Sequence, residues 1–199
     1  MNETQVKLIE QYGVIVLPDT IDHDAYMQIV ESFYFAHSIK RKELRIFCQG
    51  MGGETNCALA IADMIQHRGN CVGLLPGQAD SCHGDVFLAC QKRYVFPLAC
   101  LGIHSSKYFF DSGTKMDISG AENRFRMIQS YDGRTARIMA MASNKSGVFW
   151  EDRMRAIGSD GVQHLTAYEL VWFGMARPIS ELRQEFKGIN RDAVAVQGD

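Results

Sequence analysis

Short apolar runs alternate with helix-period segments through the first half of this 199-residue chain, and that alternation restricts the fold more than any other feature. Gly13-Val14-Ile15-Val16-Leu17 reads as a buried strand stopped by Pro18. Asp22 and Asp24 then open a helix with Tyr26, Ile29, Val30 and Phe33 on one face. Residues 44–48 form the next expected strand, which Gly50, Gly52 and Gly53 break. Residues 55–67 follow a helical period through Ala58, Ile61, Ala62 and Ile65. Residues 71–75 are a third strand, ended by Pro76-Gly77, and a helix is expected from Ser81 to Cys90. Residues 94–96 and 100–103 are two more short strands. This order predicts an α/β layer structure: a largely parallel sheet with right-handed crossovers, covered on both faces.

The second half is richer in helix. A long helix is expected from Glu122 to Ser143, and another from Val148 to Ile157. Thr166-Ala167-Tyr168-Glu169 fits a capping box, with Gly174 as the stop of that short helix. A terminal helix from Ser180 to Lys187 and a frayed tail complete the reading. No repeat or linker divides the chain, so residues 1–199 read as one domain, with the core at about 5–177 and the helix and tail at 178–199.

Composition narrows the function. With 46% apolar and 22% charged residues, a large core is affordable and wholesale disorder is excluded. A formal charge of −2 without a basic block argues against a nucleic-acid partner. No apolar run approaches the roughly 18 residues of a membrane span, and Met1 to Glu10 is not a secretory signal. The six cysteines, Cys48, Cys57, Cys71, Cys82, Cys90 and Cys100, form no CxxC and mostly sit in apolar runs. Buried free thiols in a reducing cytoplasm are the expectation. Cys82-His83 has no spaced partner pair, so no metal site is expected.

Chemistry concentrates in three segments. Gly50-Met51-Gly52-Gly53 follows a strand and can turn backbone N–H groups toward an anion. Gly77-Gln78-Ala79-Asp80-Ser81-Cys82-His83-Gly84 puts a serine at a helix start, where following N–H groups can meet an oxyanion. The same serine also suits a plain N-cap. Gly102-Ile103-His104 ends an apolar strand in a histidine able to act as general base.

Together these segments resemble the Clp protease proteolytic subunit family. The resemblance rests on the glycines at 50–53, the helix Ala58-Leu59-Ala60-Ile61-Ala62-Asp63-Met64-Ile65-Gln66, and the turn Gly77-Gln78-Ala79-Asp80-Ser81. Lys92-Arg93-Tyr94, Pro97 and Ile103-His104 continue it, as do Leu165-Thr166-Ala167-Tyr168-Glu169 and Phe173-Gly174. It implies a ClpP/crotonase-like fold of repeated ββα units, with a mostly parallel sheet flanked by helices and a protruding handle helix. It further implies a serine peptidase in which Ser81 attacks the scissile carbonyl and His104 carries the proton. The N–H groups of Gly53 and Cys82 would form the oxyanion hole, and no cofactor is called for. The implied assembly is a homo-oligomer of heptameric rings, stacked in pairs, acting on peptides or unfolded polypeptides.

Three departures accompany the resemblance. The position matching the family's acid is Val162, and Asp160, inside Gly158-Ser159-Asp160-Gly161, is the expected replacement. Ser81-Cys82-His83-Gly84 carries one residue more than the family's Ser-x-Gly, which makes His83 an alternative base. Asp80 and Asp85 are charged where the family is small or apolar. About a dozen residues precede the first strand, so no pore-lining segment is expected and docking of an AAA+ unfoldase is in doubt. Two other readings stand beside the peptidase: a catalytically impaired ring or scaffold subunit on the same fold, and a crotonase-like acyl-CoA enzyme.

Overall fold

A computed structural model describes residues 1–107, 117–157 and 161–182. After helix α1 (Glu3–Tyr12), the chain runs through repeated strand–strand–helix units. The first is β1 (Val14–Val16), β2 (Thr20–Ile21) and α2 (His23–Ser38), and the second is β3 (Leu44–Phe47), β4 (Gly52–Gly53) and α3 (Thr55–Arg68). The third is β5 (Cys71–Leu75), β6 (Gln78–Asp80) and α4 (Cys82–Ala89). The fourth is β7 (Lys92–Val95), β8 (Cys100–Ile103) and α5 (Ile118–Ala142). Helix α6 (Gly147–Ala156), β9 (Gln163–Thr166), α7 (Ala167–Trp172) and β10 (Arg177–Pro178) follow.

The first strand of each unit joins one parallel sheet in the order β1-β3-β5-β7-β10. Strands that add one after another through same-handed crossovers bring their helices to one face. Leu44, Ile46, Cys71 and Leu75 accordingly enter the main core with residues of α2, α3 and α4. The alternate residues Val72, Leu74 and Tyr94 point the other way, where Phe47, Ile179 and Leu182 cover them. Both faces are therefore apolar, as the near-continuous strand sequences require.

The second strand of each unit builds a separate layer. Strand β2 pairs with β4, β6 with β8 in parallel, and β8 with β9 antiparallel. A parallel bridge between Gly50 and Ala79 joins the two groups. The C-terminal ends of β4, β6 and β8 thus lie side by side, and each leads straight into a loop or helix start.

Several expected elements differ in detail. Gly52 and Gly53 do not merely break a strand: they pair with Thr20 and Ile21 as β4. Helix α5 begins at Ile118, where the Asp117 side chain accepts from Gly120 N–H, four residues before the expected start. Helix α1 carries only Ile9 fully buried among polar residues, too faint a stripe to read from the sequence. The first half of α5, residues 118–130, has no buried residue, whereas Ala136, Ile138, Met139 and Ala142 enter the core. The capping box at Thr166 and Glu169 forms as expected, and Gly174 takes φ +75° just beyond the helix. All six cysteines are free thiols, five of them buried.

Trp150 anchors α6 to the rest. It is fully buried, donates from Nε1 to Ser143 Oγ at 2.9 Å, and meets Phe149 and Phe173 edge-on at 4.9 and 5.1 Å. Trp150→Ala is expected to cost about 3–5 kcal/mol in a urea melt, since both the ring volume and the cavity penalty are lost. A loss under 1 kcal/mol would mean that α6 is not part of the cooperative core.

Candidate active site

Ser81 sits at the sharp turn between β6 and α4. Its backbone lies at φ 54°, ψ −123°, a region that non-glycine residues rarely occupy. Neighbouring ladders hold it there. Ser81 N–H donates to Gly102 O at 2.9 Å, and Ser81 O accepts from Gly84 N–H at 2.8 Å. Such strain persists only where the surroundings over-determine it, and it clusters at reactive sites. The side chain makes no capping bond to the helix. A serine retained only as an N-cap would accept from the first-turn N–H groups, so the bland reading loses its physical basis.

Gly52 explains why the glycine loop must approach so closely. A Cβ there would lie 2.8 Å from Ser81 Cβ and 3.3 Å from Ser81 Oγ, and φ is +104°. Gly53 is equally constrained, because its Cβ would strike Ile21 O at 2.1 Å. The Cys82 thiol donates to Gly53 O at 3.3 Å, which draws Gly53 against the first turn of α4. Gly53 and Cys82, the two expected oxyanion donors, are therefore adjacent. Cys82 N–H belongs to the helix start, whose donors have no partner within the helix.

His104 follows β8 directly. Asp80 and Gly102 are paired across β6 and β8, so Ser81 and His104 come one strand spacing apart, offset by one residue. Both line the same narrow cleft with Cys82, Asp85, Thr135 and Met139. His104 Nδ1 lies 2.6 Å from Ser105 O. A carbonyl only accepts, so Nδ1 carries a proton, and in the neutral ring Nε2 is then the nitrogen with the lone pair. That is the tautomer of a base acting through Nε2. The loop beyond is pinned from the far side, where Ser106 N–H donates to Asp132 Oδ1 at 2.7 Å.

His83 is not an alternative base. It is fully buried, accepts from Gly52 N–H at Nδ1 over 3.0 Å, and donates from Nε2 to Pro18 O over 2.8 Å. Burial lowers its pKa, which keeps it neutral in that arrangement. Its role is to hold the glycine loop, an assignment that depends on contacts far apart in sequence. Asp80 turns away from the nucleophile as well: Oδ1 meets His164 Nε2 at 3.2 Å and Oδ2 accepts from Gln78 Nε2 at 2.6 Å.

Asp160, the expected acid, lies outside the described residues. Its neighbour in the resemblance, Val162, falls next to the histidine: Gln163 pairs with Ile103, one residue before His104.

Asp85 is the site residue whose importance the sequence reading missed. It is 5% exposed, one helical turn from Ser81, and accepts from Thr135 Oγ1 at 3.2 Å. Burial, and to a smaller extent Asp132, raise its pKa to about 7 from the 3.8 of the unfolded chain. The folded state then keeps a proton that the unfolded state has released, so stability falls as pH rises from about 4 to about 7. Asp85→Asn removes that dependence. Between pH 5 and pH 7.5 the variant is expected to gain about 2–3 kcal/mol on the wild type in urea melts. A constant difference across that range would show that Asp85 is ionised at both ends.

The family model for Clp protease matches residues 2–182. The chain belongs to the Clp protease family. The repeated ββα units and the largely parallel sheet fit that family's fold, and its members are peptidases that form oligomeric rings and act on polypeptides. No curated protein matches the chain significantly. Among the described residues no helix is long and apolar enough to cross a membrane.

Proposed function

We propose that this Clp protease family member is a serine endopeptidase in which Ser81 is the nucleophile and His104 the general base. The observation that carries this is the uncapped, strained Ser81 sharing one cleft with a histidine whose Nδ1 faces the Ser105 carbonyl, so that Nε2 is the nitrogen available to act as base. His104 Nε2 takes the Ser81 proton as Oγ attacks the scissile carbonyl, then hands it to the leaving amine. The N–H groups of Gly53 and Cys82 receive the oxyanion. Water reverses the sequence and frees the serine. Asp160 is the proposed third member of the catalytic set. Hydrolysis of fluorogenic peptides by the wild type, lost in Ser81→Ala, is the test. Full-rate cleavage by that variant would remove Ser81 as the nucleophile, and wild-type protein that neither takes a serine-directed label nor cleaves would return the choice to the scaffold reading.

Assembly into rings is part of the proposal. Leu98, Ile118, Phe125 and Trp172 are large apolar side chains left more than half exposed on the single chain. A pair of heptameric rings would cover such surface and enclose Ser81, restricting access to unfolded chains. Light scattering is expected to give a mass many times the 22.4 kDa of one subunit. A monomer at micromolar concentration would remove both the ring and the chamber.

A further inference from the structure

We propose that His164 is a positioning residue for the reaction: it holds the Asp80 carboxylate over Gly102 and so keeps the Cys82 N–H free for the oxyanion. This rests on the serine-peptidase reading, because it concerns a donor which that reading assigns to the oxyanion hole.

Asp80, Gly102 and His164 form one row across three strands. Asp80 pairs with Gly102 between β6 and β8, and Gly102 pairs with His164 between β8 and β9. The outer two backbones are roughly 10 Å apart, which is two strand spacings. Their side chains nevertheless meet, with His164 Nε2 3.2 Å from Asp80 Oδ1. The residue between them makes this possible by having no side chain: a Cβ at Gly102 would strike that same Oδ1 and lie 3.0 Å from Val162 Cγ1. From its own strand Asp80 receives a second donor, Gln78 Nε2, on Oδ2 at 2.6 Å. Each carboxylate oxygen thus accepts from one nitrogen, and the His164 ring commits its Nε2 proton to this bond.

The competing arrangement is local. Asp80 directly precedes Ser81 and stands two residues before Cys82. An aspartate at a turn readily accepts from the backbone N–H two residues on. For Asp80 that N–H belongs to Cys82, at the start of α4, where helix geometry provides no acceptor. Such a bond would occupy an oxyanion donor and set a negative charge where the tetrahedral intermediate develops its own. Asp80 is 8% exposed, so water does little to satisfy the oxygen that His164 would release. Gln78 holds only the other oxygen. His164 is therefore the group that makes the row across β8 the better arrangement. Its side chain is 42% exposed, so replacing it opens no core cavity.

His164→Ala is expected to lower kcat on a fluorogenic peptide by about tenfold with KM changed less than about twofold, because the oxyanion donor is needed only in the transition state. Labelling of Ser81 by a fluorophosphonate is expected to slow in parallel, since its phosphoryl oxygen needs the same donor. His164→Phe, which keeps a ring and loses the donor, is expected to match His164→Ala. His164→Gln, whose amide N–H can still serve Oδ1, is expected to stay within about threefold of the wild type. The deciding variant is the double. Asp80→Ala alone is expected to remain near the wild-type rate, and Asp80→Ala added to His164→Ala to restore the rate to within about threefold of it. A residue that merely braced the sheet would not be rescued by removing its partner, and melts on each variant separate slow chemistry from unfolding. A double variant as slow as His164→Ala, or His164→Ala and His164→Phe as fast as the wild type, overturns the proposal, while labelling at Ser81 leaves the serine peptidase standing. Wild-type protein without label on Ser81 removes the serine reading itself, and the oxyanion role of Cys82 with it.

Discussion

Replacing Ser81 by alanine is expected to lower peptide hydrolysis by on the order of 10⁴- to 10⁶-fold while leaving the thermal melt close to that of the wild type. The side chain removed caps no helix, so little stability depends on it. The reaction depends on it because Ser81 is the residue that the turn from β6 places directly before the first-turn N–H groups of α4. His104→Ala is expected to be nearly as damaging, and the double variant no worse than either single change, because the two residues act as one unit. Additive losses would show that they act independently. Steady-state kinetics on one fluorogenic peptide, with melts recorded on the same preparations, decides this.

Asp160→Asn is expected to slow turnover by about 10²- to 10⁴-fold with folding intact. The argument concerns the charge that forms during the reaction. In the structure His104 Nδ1 is held by the Ser105 carbonyl at 2.6 Å, which is sufficient to choose a tautomer of the neutral ring. Once the Ser81 proton arrives, the ring is a cation, and a neutral carbonyl stabilises a cation less than a carboxylate does. Val162 occupies the position that the family gives to the acid and supplies no charge. Asp160, two residues earlier with glycine on one side, is the nearest acidic residue in sequence to that position. An unchanged rate in Asp160→Asn would leave a dyad oriented by the Ser105 carbonyl, or another acid such as Asp117, as the explanation.

Much of this was legible in the chain itself. Strands β3, β5 and β8 fall within a residue of their expected limits, because each is a nearly unbroken apolar run bounded by glycine, proline or a polar turn. The Gly-Gln-Ala-Asp-Ser turn and the Ile103-His104 strand end pointed to residues that the fold brings to one cleft. What escaped was set by tertiary pairing. Gly52-Gly53 has no strand character of its own and becomes β4 only because Thr20 and Ile21 lie alongside. Gln78–Asp80 reads as a turn until β8 supplies the ladder. His83 looked like a spare base beside the nucleophile, and only its contacts with Gly52 and Pro18 reveal a neutral, buried support. Asp85 appeared as an odd charge in an apolar helix. Its meaning depends on Thr135 and Asp132, which arrive from α5 some fifty residues later.

The most direct test of Ser81 as the nucleophile is covalent. The full chain is incubated with a serine-directed fluorophosphonate, digested, and mapped by mass spectrometry, with His104→Ala protein alongside. The expected result is one adduct per subunit, carried by Ser81, forming much more slowly when His104 is absent. An adduct on another residue, or none on Ser81 in protein that still cleaves peptides, would contradict the assignment.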